Sequence, residues 1–241
     1  MARLALVRHG QSEWNLANRF TGWVDVKLTK AGEAQAKRAG ALLKETGVEF
    51  SGAYTSVLQR AIKTLFLAME EMDRLWLPVI KDWRLNERHY GGLTGLDKKE
   101  TAERHGADQV KIWRRSYDIP PPDMLEDSPY NAANDLRYGA LNSSDIPMTE
   151  SLKTTLDRVQ PYWEAEIVPR LIANESLIIA AHGNSLRALV KLMFDVSKDD
   201  IVNVEIPTGN PLLIDLKPGS VSPADARYLD QDRASTLPDL P

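Results

Sequence analysis

The chain has 241 residues, no cysteine, and a formal net charge of −4 from 30 basic and 34 acidic residues. The lack of cysteine excludes disulfides, thiol catalysis and cysteine-ligated metal centres, and the mildly acidic balance argues against a nucleic-acid partner. No run approaches 18 apolar residues and the first residues lead directly into a predicted strand, so we expect no membrane partner, no signal peptide and a cytoplasmic protein.

The first predicted strand is the apolar run Leu4-Ala-Leu-Val7, which ends at Arg8-His9-Gly10. Ligands of open α/β sheets bind at the carboxyl ends of strands, which places His9 at the mouth of a crevice. A second apolar run, Leu177-Ile-Ile-Ala-Ala181, ends in the same way at His182-Gly183. Because the chain has only four histidines, two strand-end His-Gly pairs predict a shared site.

The intervening elements are predicted from capping residues and apolar periodicity. Thr29 is a suitable N-cap for a helix that runs to about residue 44. Ser56 and Gln59 fit a Ser-x-x-Gln capping box that opens a second helix to about Leu75, and Arg60 in its first turn would point toward the sheet edge of the first His-Gly pair. The other predicted elements are strands at Ser51–Thr55 and Trp76–Ile80, two short helices to about Arg115, a long helix over Leu152–Leu171 interrupted by Pro161 and Pro169, a helix from Asn184 or Ser185 to Phe194, and a last strand ending at Leu216.

Two segments break this periodicity. The span Ser116–Pro147 is rich in proline, aspartate and asparagine, and we expect it to cross over the sheet as part of a lid or insertion of about residues 90–150. The polar tail, about residues 218–241, is expected to be mobile. The alternation of strands and helices predicts one α/β domain over residues 1–241, with a mostly parallel sheet and helices on both faces in three α/β/α layers.

Arginines give the predicted crevice a preference for anions. Arg8 and Arg60, joined by Arg88, Arg114 and Arg115, would line it, and guanidinium forks suit bidentate phosphate binding. The helix after the second His-Gly pair would aim its free backbone N–H groups into the same space. Phosphate is therefore the predicted ligand.

A phosphate site with two histidines predicts phosphoryl transfer. A neutral His9 can attack phosphorus and carry the phosphoryl group, and His182 can stabilise the transferring oxygens. Glu87, in a glycine-rich loop among arginines, could donate and accept the proton. No metal site is expected, because the four histidines lack i, i+4 spacing and Arg8 would repel a cation.

Each of these residues also has a non-catalytic interpretation. Taken alone, His9 is typical of a hydrogen-bonded structural histidine and Glu87 of a solvated loop carboxylate. Arg114-Arg115 could be a solvated helix face, and His89 and His105 are typical of structural or surface histidines. The two His-Gly units together with the neighbouring arginines favour the catalytic interpretation.

Six motifs, in order, resemble those of the cofactor-dependent phosphoglycerate mutases of the histidine phosphatase superfamily, over roughly residues 3–216. The motifs are Val7-Arg-His-Gly-Gln-Ser-Glu-Trp-Asn15, Asn18-Arg-Phe-Thr-Gly-Trp23, Tyr54-Thr-Ser56, Leu85-Asn-Glu-Arg-His-Tyr-Gly91, Trp113-Arg-Arg115 and Ala180-Ala-His-Gly-Asn-Ser-Leu-Arg-Ala188. Arg-His-Gly alone is weakly specific, whereas six motifs in order are strongly specific.

The resemblance implies a phosphoglycerate mutase-like fold and an isomerase of glycolysis or gluconeogenesis that interconverts 3-phosphoglycerate and 2-phosphoglycerate. It implies priming by 2,3-bisphosphoglycerate, no metal, and a possible dimer or tetramer. By the resemblance, His9 is the phosphorylated residue, Glu87 the acid and base, and His182 the transition-state donor, assisted by Arg8 and Arg60. The residues implied to bind the phosphoryl group and the rest of the substrate are Gly10, Gln11, Ser12, Asn15, Thr21, Gly22, Arg88, His89, Tyr90, Lys98, Arg114, Arg115, Gly183 and Asn184.

The sequence departs from the family pattern at two places. The tail from Arg227 carries no lysine, where family members often have one, and Gln11 stands where Glu is common.

Two alternative functions are compatible with the phosphate site. A phosphatase or bisphosphoglycerate mutase/phosphatase would share the phosphohistidine step and differ in the access of water to the phosphohistidine; the long excursion over residues 116–147 favours the mutase. A non-catalytic binder of phosphorylated ligands would lack the nucleophile or the acid/base, and both His9 and Glu87 are present.

Overall fold

A six-stranded sheet with helices on both faces organises the computed structural model, which describes residues 1–241. The strands are β1 (Arg3–Arg8), β2 (Gly52–Thr55), β3 (Val79–Lys81), β4 (Leu177–Ala181), β5 (Leu212–Leu216) and β6 (Pro223–Tyr228). The helices are α1 (Glu13–Leu16), α2 (Lys30–Glu45), α3 (Gln59–Glu71), α4 (Lys98–His105), α5 (Ala107–Arg115), α6 (Leu152–Tyr162), α7 (Val168–Ile172) and α8 (Gly183–Met193).

The strand order is β3-β2-β4-β1-β5-β6. The first four strands are parallel, β5 runs antiparallel to β1, and β6 runs antiparallel to β5. The predicted α/β class with a mostly parallel sheet is confirmed.

Each face of the sheet has its own apolar core, because alternate side chains of a strand point to opposite faces. Leu4 and Leu6 of β1 belong to a cluster of 29 buried residues that includes α6 and α8. Ala5 and Val7 belong to a cluster of 13 buried residues that includes α2 and α3. These two layers of helices around one sheet form the predicted three-layer arrangement.

The register of the central strands brings the two His-Gly units together. β1 and β4 are parallel neighbours with Arg8 opposite Ala181, and the His9 N–H donates to the Ala181 carbonyl at 3.0 Å. On the other side of β4, Thr55 of β2 lies opposite Ala180. The three strands therefore deliver the residues that follow them to one edge of the sheet.

The capping box predicted at Ser56 is wrong. The N-cap of α3 is Leu58, which makes no side-chain cap hydrogen bond, and the Gln59 N–H donates instead to the Asp25 carboxylate at 2.7 Å. The Ser56 hydroxyl lies 2.7 Å from His182 Nε2. Ser56 therefore contacts His182 at the sheet edge and is not the N-cap of α3.

The long helix predicted over residues 152–171 is interrupted at its prolines, as expected. α6 contains Pro161, and a π-helical turn, Trp163–Ile167, separates it from α7. Pro169 lies in the first turn of α7, where its missing N–H is tolerated. The predicted end of α3 is less accurate, because that helix stops at Glu71 and not near residue 75.

Two peripheral segments differ in how closely they follow expectation. Residues 116–147 contain only short 3₁₀ turns, at Ala132–Asn134, Leu136–Tyr138 and Ser143–Asp145, as a long excursion should. The tail departs from expectation, since Pro223–Tyr228 forms the edge strand β6. The prediction that the strand ending at Leu216 is the last one is therefore wrong. No helix has the length and apolar character needed to cross a bilayer.

Candidate active site

His9 follows β1 directly and is buried. Its Nδ1 lies 2.7 Å from the Gly10 carbonyl, and because a carbonyl oxygen only accepts, Nδ1 carries the proton. Burial, followed by the charges of Arg60 and Arg8, lowers the pKa of His9 well below its ordinary value. The imidazole is therefore neutral at pH 7, with the lone pair on Nε2 available as a nucleophile.

Gly10 makes this strand end possible. A Cβ at Gly10 would overlap the backbone carbonyl of Gly32 in α2, so only glycine permits the close approach. The Gly10 N–H donates to Thr64 Oγ1 of α3 at 3.1 Å. The carbonyl that orients His9 is thus held between two helices.

His182 faces His9 edge-on, with 5.0 Å between the ring centroids. The Ser56 oxygen accepts the Leu58 N–H at 3.1 Å, so its own proton is free to reach His182 Nε2 at 2.7 Å. This arrangement leaves the proton of the imidazole on Nδ1, which is buried and has no partner within the protein. Burial is the main cause that lowers the pKa of His182 well below its usual range. The neutral ring can therefore donate a hydrogen bond from Nδ1 to a bound ligand.

Glu87 completes the group. Its Oε1 accepts three N–H groups, the Arg88 backbone at 2.9 Å and the Asn184 backbone and side-chain amides at 3.0 Å each. Oε2 receives no donor from the protein. One ring nitrogen of His9, one of His182 and one Glu87 carboxylate oxygen all lie within 4.8 Å of one another.

These three groups are also close enough to hold a metal ion. The nearest cations are Arg8 and Arg60, whose charges already lower the pKa of both histidines. Two guanidinium groups would repel a divalent cation, whereas they attract a phosphoryl group. The electrostatics of the site thus favour an anion.

Several buried N–H groups around the three residues have no acceptor. Arg60 donates both terminal nitrogens to the carbonyls of Gly22 and Val24 at 2.8 Å, and its Nε has no partner. Arg8 donates to the Ile206 carbonyl at 2.8 Å, and its Nε is likewise unpartnered. Burial lowers the pKa of Arg60 to about 10, which leaves it charged at pH 7. Buried unpartnered donors are costly, and an anionic ligand would satisfy them.

The cleft has two adjoining lobes. The inner lobe, of about 100 Å³, is lined by His9, Asn15, Arg19, Phe20, Thr21, Arg60 and Lys98. The outer lobe, of about 180 Å³, is lined by Arg115, Gly183, Asn184, Arg187, Glu205 and Ile206. Arg8, Glu87, Tyr90 and Arg114 line both lobes. Most of the predicted substrate-binding residues are therefore gathered around one cavity.

Six of the predicted substrate-binding residues, as well as the predicted catalytic His182, do not line either lobe. Gln11 bonds to Gln35 and Thr29, and Ser12 caps α1. Arg88 lies 4.7 Å from the Tyr90 ring, with its guanidinium bonded to the Arg114 carbonyl. His89 packs against Trp23, which supports its structural interpretation. Gly10 and Gly22 contribute the backbone carbonyls described above.

Some residues of the site were missed at the sequence level. Ser56 was assigned to a helix cap, although its position directly after β2 was a signal that it belongs to the sheet edge. Arg187 lies three residues after Asn184 on α8, a spacing that places both on one helix face. Glu150 and Arg158 hold the loop of Glu87 from behind, and their distance from it in sequence hides that role.

Comparisons with known proteins show the family of this chain. The family model described as histidine phosphatase superfamily (branch 1) matches residues 4–135. Proteins from Maricaulis maris (strain MCS10) and Hyphomonas neptunium (strain ATCC 15444), both described as 2,3-bisphosphoglycerate-dependent phosphoglycerate mutase, are 62% and 60% identical over 241 residues. The alignments cover 100% of this chain and 99% and 100% of those relatives.

Solved structures support the fold. A structure described as mycobacterial hydrolase 1 aligns with a TM-score of 0.71 at 22% identity, over 98% of this chain and 100% of that chain. The α-ribazole phosphatase from Shigella flexneri aligns with a TM-score of 0.67 at 22% identity, over 98% and 100% of the two chains. At this level of identity the likeness concerns the fold alone.

Proposed function

Because this chain belongs to the 2,3-bisphosphoglycerate-dependent phosphoglycerate mutases of the histidine phosphatase superfamily, and so interconverts 3-phosphoglycerate and 2-phosphoglycerate, we propose that His9 carries the transferred phosphoryl group. The observation that carries the proposal is the convergence of His9, His182 and Glu87 within 4.8 Å, amid buried N–H donors that lack acceptors.

The cleft suits a ligand with several negative charges. Arg8, Arg60, Lys98, Arg114 and Arg115 would hold 2,3-bisphosphoglycerate. When bound, this cofactor supplies the phosphoryl group that primes His9. The proposal includes no metal, because the protein's own cations lie where charge would need to be neutralised.

His9 and Glu87 divide the chemistry of each transfer. His9 Nε2 forms a bond to phosphorus as the P–O bond of the glycerate phosphate breaks, and Glu87 gives its proton to the departing oxygen. In the reverse direction Glu87 removes the proton of the glycerate hydroxyl, and that oxygen attacks phosphorus as the N–P bond breaks. Use of the 2-oxygen in one transfer and the 3-oxygen in the other produces the isomerisation.

His182 and the two inner arginines stabilise the transferring group. The His182 Nδ1–H has no other partner, and Arg8 and Arg60 add fixed positive charge beside it, each with a buried unpartnered Nε. Donors and charges that are already in place need no reorganisation as negative charge spreads over the phosphoryl oxygens. Both histidines remain neutral, so that one can attack and the other can donate.

The cellular setting is part of the proposal. We expect the enzyme to act on phosphorylated glycerates in the cytoplasm, without nucleic acid or membrane, as a homo-oligomer that is a dimer or a tetramer. Leu75, Trp76 and Ile80 are exposed in the segment that leads into and forms edge strand β3. An exposed apolar edge of this kind favours association with another copy.

The decisive test separates a mutase from a phosphatase. Purified protein is supplied with 3-phosphoglycerate, with and without trace 2,3-bisphosphoglycerate, and both 2-phosphoglycerate and inorganic phosphate are measured. The proposal expects 2-phosphoglycerate formation that depends on the trace primer and exceeds phosphate release, and no turnover by H9A. Faster release of phosphate than of 2-phosphoglycerate would support the alternative phosphatase.

A further inference from the structure

Arg187 is a buried arginine with no acidic partner. It lies on α8, and its Nη1 donates to Asn184 Oδ1 at 2.9 Å while its Nη2 donates to the Ile201 carbonyl at 2.6 Å. Burial, followed by the neighbouring Arg88 and Arg115, lowers the pKa of Arg187 to about 10. A buried cation without a carboxylate is unfavourable for folding, so its presence calls for a functional reason.

The guanidinium determines which way the Asn184 amide faces. An arginine has only N–H donors, so the amide must turn its oxygen toward Arg187 and its NH₂ group away from it. That NH₂ group then donates to Glu87 Oε1 at 3.0 Å and to the Tyr90 hydroxyl at 3.3 Å. Without Arg187, only the Glu87 carboxylate and the Tyr90 hydroxyl would orient the amide.

A rotated amide would place Oδ1 against the Glu87 carboxylate, where two acceptors repel each other. The carboxylate would lose one of the three donors to Oε1 and could turn away from the histidines. We propose that Arg187 is a positioning residue, which acts through Asn184 to hold the Glu87 carboxylate in its proton-transfer position. This inference rests on the proposed acid/base role of Glu87.

Arg187 also lines the outer lobe of the cleft, next to Arg115 and Glu205. A competing interpretation is that it binds a substrate anion directly. The two roles predict different effects of substituting Arg187. If Arg187 is a positioning residue, the effect requires the Asn184 side chain, whereas the effect of losing a substrate ligand does not. They also differ in whether kcat or KM changes.

A double-mutant cycle tests the proposal. We expect R187M to lower kcat about tenfold with little change in KM, and N184A, which keeps its backbone N–H, to lower it similarly. In the N184A background R187M should have no further effect on kcat. R187K should retain most of the activity, because an ammonium also has only donors and keeps the amide oriented.

The split between kcat and KM, together with the retained activity of R187K, distinguishes this role from a merely structural one. Should R187M fail to fold, N184A carries the same expectation.

Three results would overturn the inference: additive kcat losses in the cycle, a rise in KM in both backgrounds, or a kcat for R187K as low as that of R187M. The E87Q variant separates this failure from that of the proposed function. If E87Q retains full turnover, the acid/base assignment itself is wrong. If E87Q is inactive while the cycle is additive, only the role of Arg187 is wrong.

Discussion

At the scale of single residues, the site works because two histidines of the same chemistry are given opposite tautomers. The Gly10 carbonyl accepts a hydrogen bond from His9 Nδ1–H and leaves Nε2 free to attack. The Ser56 hydroxyl occupies His182 Nε2 and leaves Nδ1–H free to donate. The hydrogen-bond partner of each ring therefore decides which histidine is the nucleophile and which is the donor. For His9 this partner is Gly10 of its own His-Gly motif, whereas for His182 it is Ser56, which lies outside the motif.

This assignment predicts graded effects of substitution. Replacement of His182 by Ala should lower kcat by about 10²–10³, the usual effect of one lost transition-state donor. S56A should cause a smaller loss, about tenfold, because the ring remains but both tautomers become accessible. Steady-state kinetics with 3-phosphoglycerate measure both.

The matched control is S151A, which removes another buried serine hydroxyl, at the N-cap of α6. It should lower thermal stability and leave kcat unchanged. A kcat for S56A equal to that of the unsubstituted protein would contradict the proposed tautomer of His182.

At the scale of secondary-structure elements, the loop that carries Glu87 is held by α6. Arg158 forms a buried two-pronged ion pair with Glu150, at 2.7 and 2.9 Å. The same guanidinium donates to the Arg84 carbonyl at 2.6 Å and to the Glu87 carbonyl at 3.3 Å. Trp23 Nε1 also donates to the Glu87 carbonyl, at 2.7 Å. Backbone contacts thus fix the loop, and the Glu87 side chain stays available to the cleft.

Removal of the charge of Glu150 should therefore destabilise the folded protein. E150Q leaves a buried Arg158 without its counter-charge, and we expect a loss of about 3–5 kcal/mol in the free energy of unfolding. D157N, which breaks the exposed Lys153–Asp157 pair on the same helix, should leave the urea midpoint nearly unchanged. Equal midpoints for the two variants would show that the Arg158 ion pair does not hold the loop.

The sequence predicts the parts of this architecture that depend on local pattern. The apolar runs before His9 and His182 identify two strands, and parallel strands in one sheet necessarily present their carboxyl ends at one edge. β6 was harder to predict, because Ala224, Ala226 and Tyr228 alternate with Asp225 and Arg227 but two of these three apolar positions are only alanines, and the strand is defined by its pairing with β5. Gln11 and Ser12 follow the nucleophile in sequence, yet the chain turns their side chains away toward α2 and α1.

Contacts between segments distant in sequence account for the rest. Ser56 lies 126 residues from His182, and Arg158 lies 71 residues from Glu87. Neither contact produces a recognisable local pattern in the sequence. The Ser-x-x-Gln spacing therefore assigned Ser56 only to the helix that follows it. The cations and the nucleophile were predictable because phosphate chemistry restricts the residue types, whereas residues that position them can be of almost any polar type.

At the scale of the whole molecule, three buried histidines couple stability to pH. Burial is the first cause that lowers the pKa of His9, His182 and His89, to about 4 for His89. The unfolded chain binds protons at these residues below about pH 6.5, while the folded protein does not. The free energy of unfolding should therefore fall as pH decreases below 6.5, by up to about 1.4 kcal/mol per pH unit for each histidine.

Urea unfolding between pH 8 and 5.5 measures this dependence in a range where ordinary carboxylates remain ionised. We expect a flat free energy of unfolding above pH 6.5 and a decline below it. H89Q should reduce the slope by about a third, and H105Q, at an exposed position on α4, should leave it unchanged. A free energy of unfolding that stays constant down to pH 5.5 would mean that these histidines are protonated in the folded protein.

The whole account depends on His9 as the residue that carries the phosphoryl group. Incubation with 2,3-bisphosphoglycerate labelled in its phosphoryl groups, followed by peptide mapping under conditions that preserve phosphohistidine, tests this directly. We predict one acid-labile label on His9, absent in H9A, that is lost to product when 3-phosphoglycerate is added. A label on any other residue, or full turnover by a protein that never becomes labelled, would contradict it.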